Sequence, residues 1–76
     1  MKKRKRATKI EVLQFIWKEG IVRYQDLMEK FGYTEGGASS MLSWLKREKL
    51  VVNDVKGEWV VTDRGVKRLL YYGMLE

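Results

Sequence analysis

TEGGASSMLSWLKREKL, residues 34–50, is the stretch whose reading decides the fold. At ~100° per residue, Ala38, Met41, Leu42 and Leu45 fall on one apolar arc, and Gly36, Ser40, Ser43 and Arg47 fall on the opposite one. A helix packed on a core normally carries Lys and Glu on its wet side. This one presents a floor of Ser and Gly edged by Lys46 and Arg47. Short side chains let a helix sink into a groove, hydroxyls reach phosphates or base edges, and cations add phosphate attraction. The plainer alternative is a core helix whose outer face holds poor helix formers.

The chain around it is 76 residues long, enough for one small core. It has no Cys and no His, so it has no disulfide framework, no thiolate site and no imidazole for base catalysis or zinc binding. Asp26, Glu29, Asp54, Glu58 and Asp63 form no metal-like cluster in the sequence, and Ser39, Ser40 and Ser43 have no His to activate them. The chain is therefore expected to be no enzyme, with no catalytic residue, metal or cofactor. No run of ~20 apolar residues is present, and the basic N-terminus leads into no apolar segment of the secretory kind. A cytoplasmic location is the expectation.

The net charge of +6 is unevenly placed. Lys2, Lys3, Arg4, Lys5, Arg6 and Lys9 are followed by ten bases and ten acids in residues 10–76, a neutral body. Residues 1–7 are expected to form a flexible cationic arm, and residues 8–76 a folded domain. Such an arm follows a DNA backbone or enters a minor groove. It also serves as a solubilising or localisation run.

Thr8 and Glu11 have capping-box spacing ahead of a first helix that runs to about Lys18 and stops at Gly20. Ile10, Val12, Leu13, Phe15, Ile16 and Trp17 cover more than half of its wheel, so it needs cover on two sides, from the C-terminal helix or from a second subunit. Ile21 and Val22 suit a short edge strand. A second helix is expected over residues 24–31, with Leu27, Met28 and Phe31 inward and Gly32 at its end. Thr34 then caps the third, over about 35–48. Two helices joined by a short turn containing Gly form a helix-turn-helix. Two apolar runs follow, flanking a four-residue loop, Asp54-Val55-Lys56-Gly57. Pairing Val52 with Trp59 puts Leu50, Val52, Trp59 and Val61 on the core face. Thr62 caps a last helix from Asp63 to about Tyr72, with Val66, Leu69, Leu70 and Gly73 or Met74 as its stripe.

In this order the residues resemble the winged helix-turn-helix transcription regulators, in particular MarR-like and related small archaeal and bacterial regulators. The family's L-x-x-L-x-x-x-G-L-[IV] motif matches Leu42, Leu45, Lys49, Leu50 and Val51. Its [LV]-T-x-x-G motif matches Val61, Thr62, Asp63, Arg64 and Gly65. The resemblance covers about residues 10–72. It implies an α+β, mostly α fold with a three-helix core, a β-hairpin wing and a C-terminal helix. Two positions depart from the pattern: Lys49 replaces Gly at the bend into the wing, and Arg23 replaces the Ser or Thr that caps the second helix.

By the same resemblance, Glu35, Gly36, Ser39, Ser40, Ser43 and Arg47 form the base-facing side of the recognition helix. Lys56 is the wing-tip cation. Arg23, which departs from the family pattern, is read separately as a residue placed to meet a phosphate at the start of the second helix. Glu35 is either an acceptor for cytosine N4 or a favourable charge at a helix start. The implied function is sequence-specific binding of double-stranded DNA, with the third helix in the major groove and the wing and arm on backbone and minor groove. The alternative is a winged-helix protein-interaction module. A homodimer through the first and last helices is the expected assembly.

Overall fold

A computed structural model describes residues 8–73. The elements are α1 (Lys9–Glu19), α2 (Tyr24–Phe31), α3 (Glu35–Arg47), β1 (Val51–Val55), β2 (Glu58–Val61) and α4 (Asp63–Tyr71). The fold is thus α+β and mostly helical, with an antiparallel hairpin, a layout compatible with a winged helix. Met74 and the arm residues lie outside the described residues.

Local chemistry sets each boundary. The Thr8 hydroxyl accepts from the Glu11 N–H at 3.2 Å, while the Glu11 carboxylate accepts from the Thr8 N–H at 2.9 Å, closing the capping box. Gly32 ends α2 in the left-handed conformation. At α3 the Thr34 hydroxyl accepts from the Gly37 N–H at 3.0 Å. Arg23 has no acceptor to offer α2, and the cap comes from the other direction, with the Arg23 N–H donating to Asp26 Oδ2 at 2.9 Å.

The turn out of α3 is a Schellman motif. The Leu50 N–H reaches the Leu45 carbonyl at 2.9 Å, and the Lys49 N–H reaches the Lys46 carbonyl at 2.8 Å. Lys49 occupies the left-handed position with φ 65°, as expected from its standing where a Gly is usual. The Thr62 hydroxyl donates to the Lys49 carbonyl at 2.7 Å and accepts from the Gly65 N–H at 3.1 Å. The Thr62 N–H donates to the Leu50 carbonyl at 2.9 Å. A Cβ at Gly65 would collide with that same Leu50 carbonyl oxygen and with Val61 Cγ1. Thr62 and Gly65 therefore clamp the start of α4 onto the end of α3.

The β1–β2 hairpin, the expected wing, differs from the sequence reading in register. Val51 lies opposite Val61, Val52 opposite Val60 and Val55 opposite Glu58, with a bulge between Val52 and Val55. The core face is Val51, Trp59 and Val61, and Val52 turns to the other side. The loop is two residues, Lys56 and Gly57, with Gly57 at φ 83°. Consecutive valines carry no alternation to fix the parity of a strand, so the bulge decides it. On its far side β2 accepts Val22, whose N–H and carbonyl bond Trp59 at 3.0 and 2.8 Å.

The core is built on Val12, Leu13 and Ile16 of α1, Leu27 of α2, Ala38, Leu42 and Leu45 of α3, Val22, Leu50, Val51 and Trp59, and Leu69 of α4. Phe15 packs edge-on against Phe31 at 5.4 Å between centroids. α4 packs on α1 and β2, and Val12, Leu13 and Ile16 of the apolar arc of α1 are buried within the chain, whereas Trp17 stays exposed. α4 itself is rotated from the expected stripe. Gly65 and Leu69 are buried, whereas Leu70 is 60% exposed, because the missing Cβ at Gly65 lets that side approach the Leu50 backbone.

Two substitutions test this junction. Lys49→Gly removes the left-handed penalty and raises stability by ~0.5–1 kcal/mol. Gly65→Ala forces a carbonyl contact and lowers it by about 1–3 kcal/mol. Urea unfolding followed by circular dichroism reads both, and equal midpoints for the two variants contradict the clamp.

Candidate nucleic-acid interface

The exposed face of α3 follows from its buried one. Ala38, Leu42 and Leu45 are fully buried, Met41 and Trp44 are half-buried, and Gly36, Ser40, Ser43, Lys46 and Arg47 stand exposed. Ser39 is half-buried at the margin. At Gly36 a Cβ would meet only open space, so that glycine marks a smooth surface and relieves no crowding. Trp44 is held at the rim by the Lys9 ammonium, 4.5 Å from its ring centroid. The outcome is a shallow helical face of small side chains, with cations only in its last turn.

Beside it lies a cleft of about 380 Å³ lined by Arg23, Tyr24, Gln25, Met28, Glu35 and Gly57. The first turn of α2, the first residue of α3 and the wing tip meet there. Lys56 is exposed next to Gly57 at the tip, with the exposed Val55 before it. Arg23 is not directed outward alone: Nη2 lies 2.9 Å from Glu58 Oε2 at the start of β2. Its side chain is 63% exposed against 28% for Glu58. The pair is thus largely solvent-screened and worth little in stability, while its guanidinium charge is offset locally by the Glu58 carboxylate.

The structure therefore brings Arg23 and Glu35 together around one cleft, leaves Lys56 exposed beside its Gly57 wall, and sets Gly36, Ser39, Ser40, Ser43, Lys46 and Arg47 along α3. Lys2, Lys3, Arg4, Lys5 and Arg6 lie outside the described residues. Tyr24, Gln25 and Glu58 were not singled out in the sequence, and nothing short of the α2–wing contact marks them. Gln25 is exposed in the first turn of α2, and its carboxamide both donates and accepts, which matches the N7 acceptor and N6 donor on the major-groove edge of an adenine. Among the described residues no group of acidic side chains is arranged to hold a metal ion. No helix of the described residues is long and apolar enough to cross a membrane.

The start of α2 gives a separable check on these contacts. Asp26→Ala removes the acceptor that caps Arg23 and costs about 0.5–1.5 kcal/mol in urea unfolding. Arg23→Ala costs ~0.5 kcal/mol or less, since it loses only a screened surface pair. A larger loss for Arg23 than for Asp26 contradicts this assignment of roles.

Comparison with known protein families, characterised proteins and solved structures finds no match to this chain.

Proposed function

We propose that this chain is a winged helix-turn-helix regulator of transcription that binds double-stranded DNA, of the MarR-like kind its motifs resemble. On this reading α3 enters the major groove with Gly36, Ser39, Ser40 and Ser43 toward the bases. Lys46 and Arg47 meet phosphates at its end, Lys56 carries the wing to the neighbouring backbone or minor groove, and the arm of Lys2, Lys3, Arg4, Lys5 and Arg6 follows the duplex. Arg23 exchanges its Glu58 partner for a phosphate, or shares it between the two.

The observation that carries the reading is the outer face of α3. A helix capped at Thr34 and held at both ends exposes only small or hydroxyl side chains along its middle. Such a face has little of the apolar bulk that forms the core of a protein–protein contact, and it fits the depth and width of a major groove. Affinity then comes chiefly from phosphate contacts by the arm and flanking cations, and discrimination from the serines and Gln25.

A second reading, an interaction module without DNA specificity, is supported by a different observation. Trp17, Ile21, Leu70, Tyr71 and Tyr72 are all exposed, on or beside α1 and α4. The same residues are the basis for a homodimer through those two helices. Self-covering of α1 by α4 leaves the dimer to rest on this rim alone. Sedimentation at tens of micromolar checks it, and a purely monomeric species removes it.

Binding to a random-sequence duplex as a function of salt separates the two functions. The full chain should lose affinity steeply, with a log–log slope of about −0.9 per phosphate neutralised. A chain without residues 1–6 should retain part of that slope, and Arg47→Ala and Lys56→Ala should each reduce the slope by about one further contact. A slope that disappears entirely with the arm gives the interaction module the lead.

A further inference from the structure

We propose that the outer face of α4 is a second duplex-binding surface, so that one molecule holds two DNA segments, one on α3 and one on α4. The proposal rests on the DNA-binding reading of α3 and extends it to the other side of the core. At ~100° per residue Arg64, Lys67, Arg68 and Tyr71 share one arc of ~100°. Arg64 and Lys67 are exposed, Arg68 is half-buried, and Tyr71 is 81% exposed. The helix has one carboxylate, Asp63, in its first turn and outside that arc. None of the three cations makes an ion pair among the described residues.

A merely solvated helix surface has a different pattern. Exposed helices intersperse the two signs, with acid and base at i,i+4. Here Asp63 and Lys67 have that spacing but form no ion pair among the described residues, while Arg64 and Arg68 are a like-charge i,i+4 pair and Arg64 sits at the positive end of the helix dipole. Both arrangements are unfavourable in the free protein and are relieved by an anion. The stripe also departs from the charge of its surroundings. Removing Lys2–Arg6 and Glu76 from totals of 16 bases and 10 acids leaves eleven cations and nine carboxylates in residues 8–73. Three of those eleven stand on one arc of a nine-residue helix.

The partner is a phosphate backbone. Residues 64 and 68 are ~6 Å apart along the helix axis, a span of about two phosphates at 3.4 Å per strand step. The Tyr71 hydroxyl one turn on suits a sugar or phosphate oxygen. A lipid surface fits less well, because a helix that lies in a membrane interface needs a continuous apolar face, whereas the Gly65 and Leu69 face of α4 is buried and its exposed large apolar side chains, Leu70 and Tyr71, stand only at its C-terminal end. α4 packs on α1 and β2, whereas α3 packs on α2, β1 and α1. The two helices thus share α1 as a neighbour and otherwise pack on different elements, and the start of α4 meets the end of α3 at the Thr62–Lys49 junction, so the number of duplexes held is what the test reads.

The test mixes the full-length protein with two short duplexes, one carrying a donor dye and the other an acceptor. Energy transfer should rise with protein and fall at least fivefold for the triple substitution Arg64→Gln, Lys67→Gln, Arg68→Gln. Binding of a single duplex in excess, read by anisotropy, should change less than twofold in that variant. All three side chains lie outside the core, so circular dichroism should show an unchanged fold, and each single Gln variant should show a graded loss of bridging. Bridging that persists in the triple variant overturns the proposal and assigns it to the arm or to a dimer. Absence of duplex binding by the unaltered protein defeats the reading of α3 itself, a distinguishable result. Binding of phosphatidylserine vesicles that the triple substitution abolishes, with bridging unaffected, makes the stripe a membrane surface and also overturns the proposal.

Discussion

The hydroxyl of Thr62 is the point on which the arrangement turns. It donates to the Lys49 carbonyl and accepts from the Gly65 N–H, while the Thr62 N–H holds the Leu50 carbonyl. One residue thereby joins the end of α3, the return of the wing and the start of α4. The Schellman turn sets the direction in which the chain leaves α3, and Gly65 lets α4 approach that turn to backbone distance. Lys49 accepts a left-handed conformation that costs an L-residue about 1–2 kcal/mol, and the surrounding bonds hold it there. The angle between α3 and the wing, and so the shape of the cleft at Gly57, follows from this junction.

Trp59 performs the corresponding task on the other side. It is 4% exposed, bonds Val22 through both backbone groups and lies 6.3 Å from the Tyr24 ring. It thus fastens the segment between α1 and α2 to the hairpin, which fixes where α2 begins. The Arg23–Glu58 pair is a consequence of that register, since residue 23 follows the bridge on one strand and residue 58 precedes it on the other. Its indole N–H is buried without a hydrogen-bond partner among the described residues. A buried donor of this kind costs roughly 1–3 kcal/mol, which the ring offsets by packing at the centre of the sheet's inner face.

The helices were legible because their boundaries are written in local chemistry: Thr8 with Glu11, Thr34 with Gly37, Thr62 with Gly65, and Gly20 and Gly32 after the last turns. The wing was legible as an element and not in its register. Val51, Val52, Val60 and Val61 offer the same side chain to both faces, and only the bulge opposite Trp59 decides which pair points inward. The rotation of α4 was hidden for a related reason. A stripe read from large apolar residues gives weight to Leu70 and none to Gly65, yet the close approach at Gly65 orients the helix. The cleft residues Tyr24, Gln25 and Glu58 become neighbours only through the Val22–Trp59 bridge, a contact between segments 37 residues apart in sequence.

Charge placement bears on how the proposed division of labour works. The face that includes α3 and the cleft carries Glu35 and Glu58 as well as Arg23, Arg47 and Lys56, so its mean potential is modest. On the proposed reading such a surface would recognise by shape and hydrogen bonding, its carboxylates repelling a phosphate backbone that approaches out of register. Long-range attraction, on the same reading, comes from the cations of the arm and of the α4 stripe, the latter offset only by Asp63 within its own helix. Separating the two has a physical consequence. Cations remote from the reading surface raise local DNA concentration without strengthening wrong base contacts, so non-specific capture and discrimination are set by different residues and respond differently to salt.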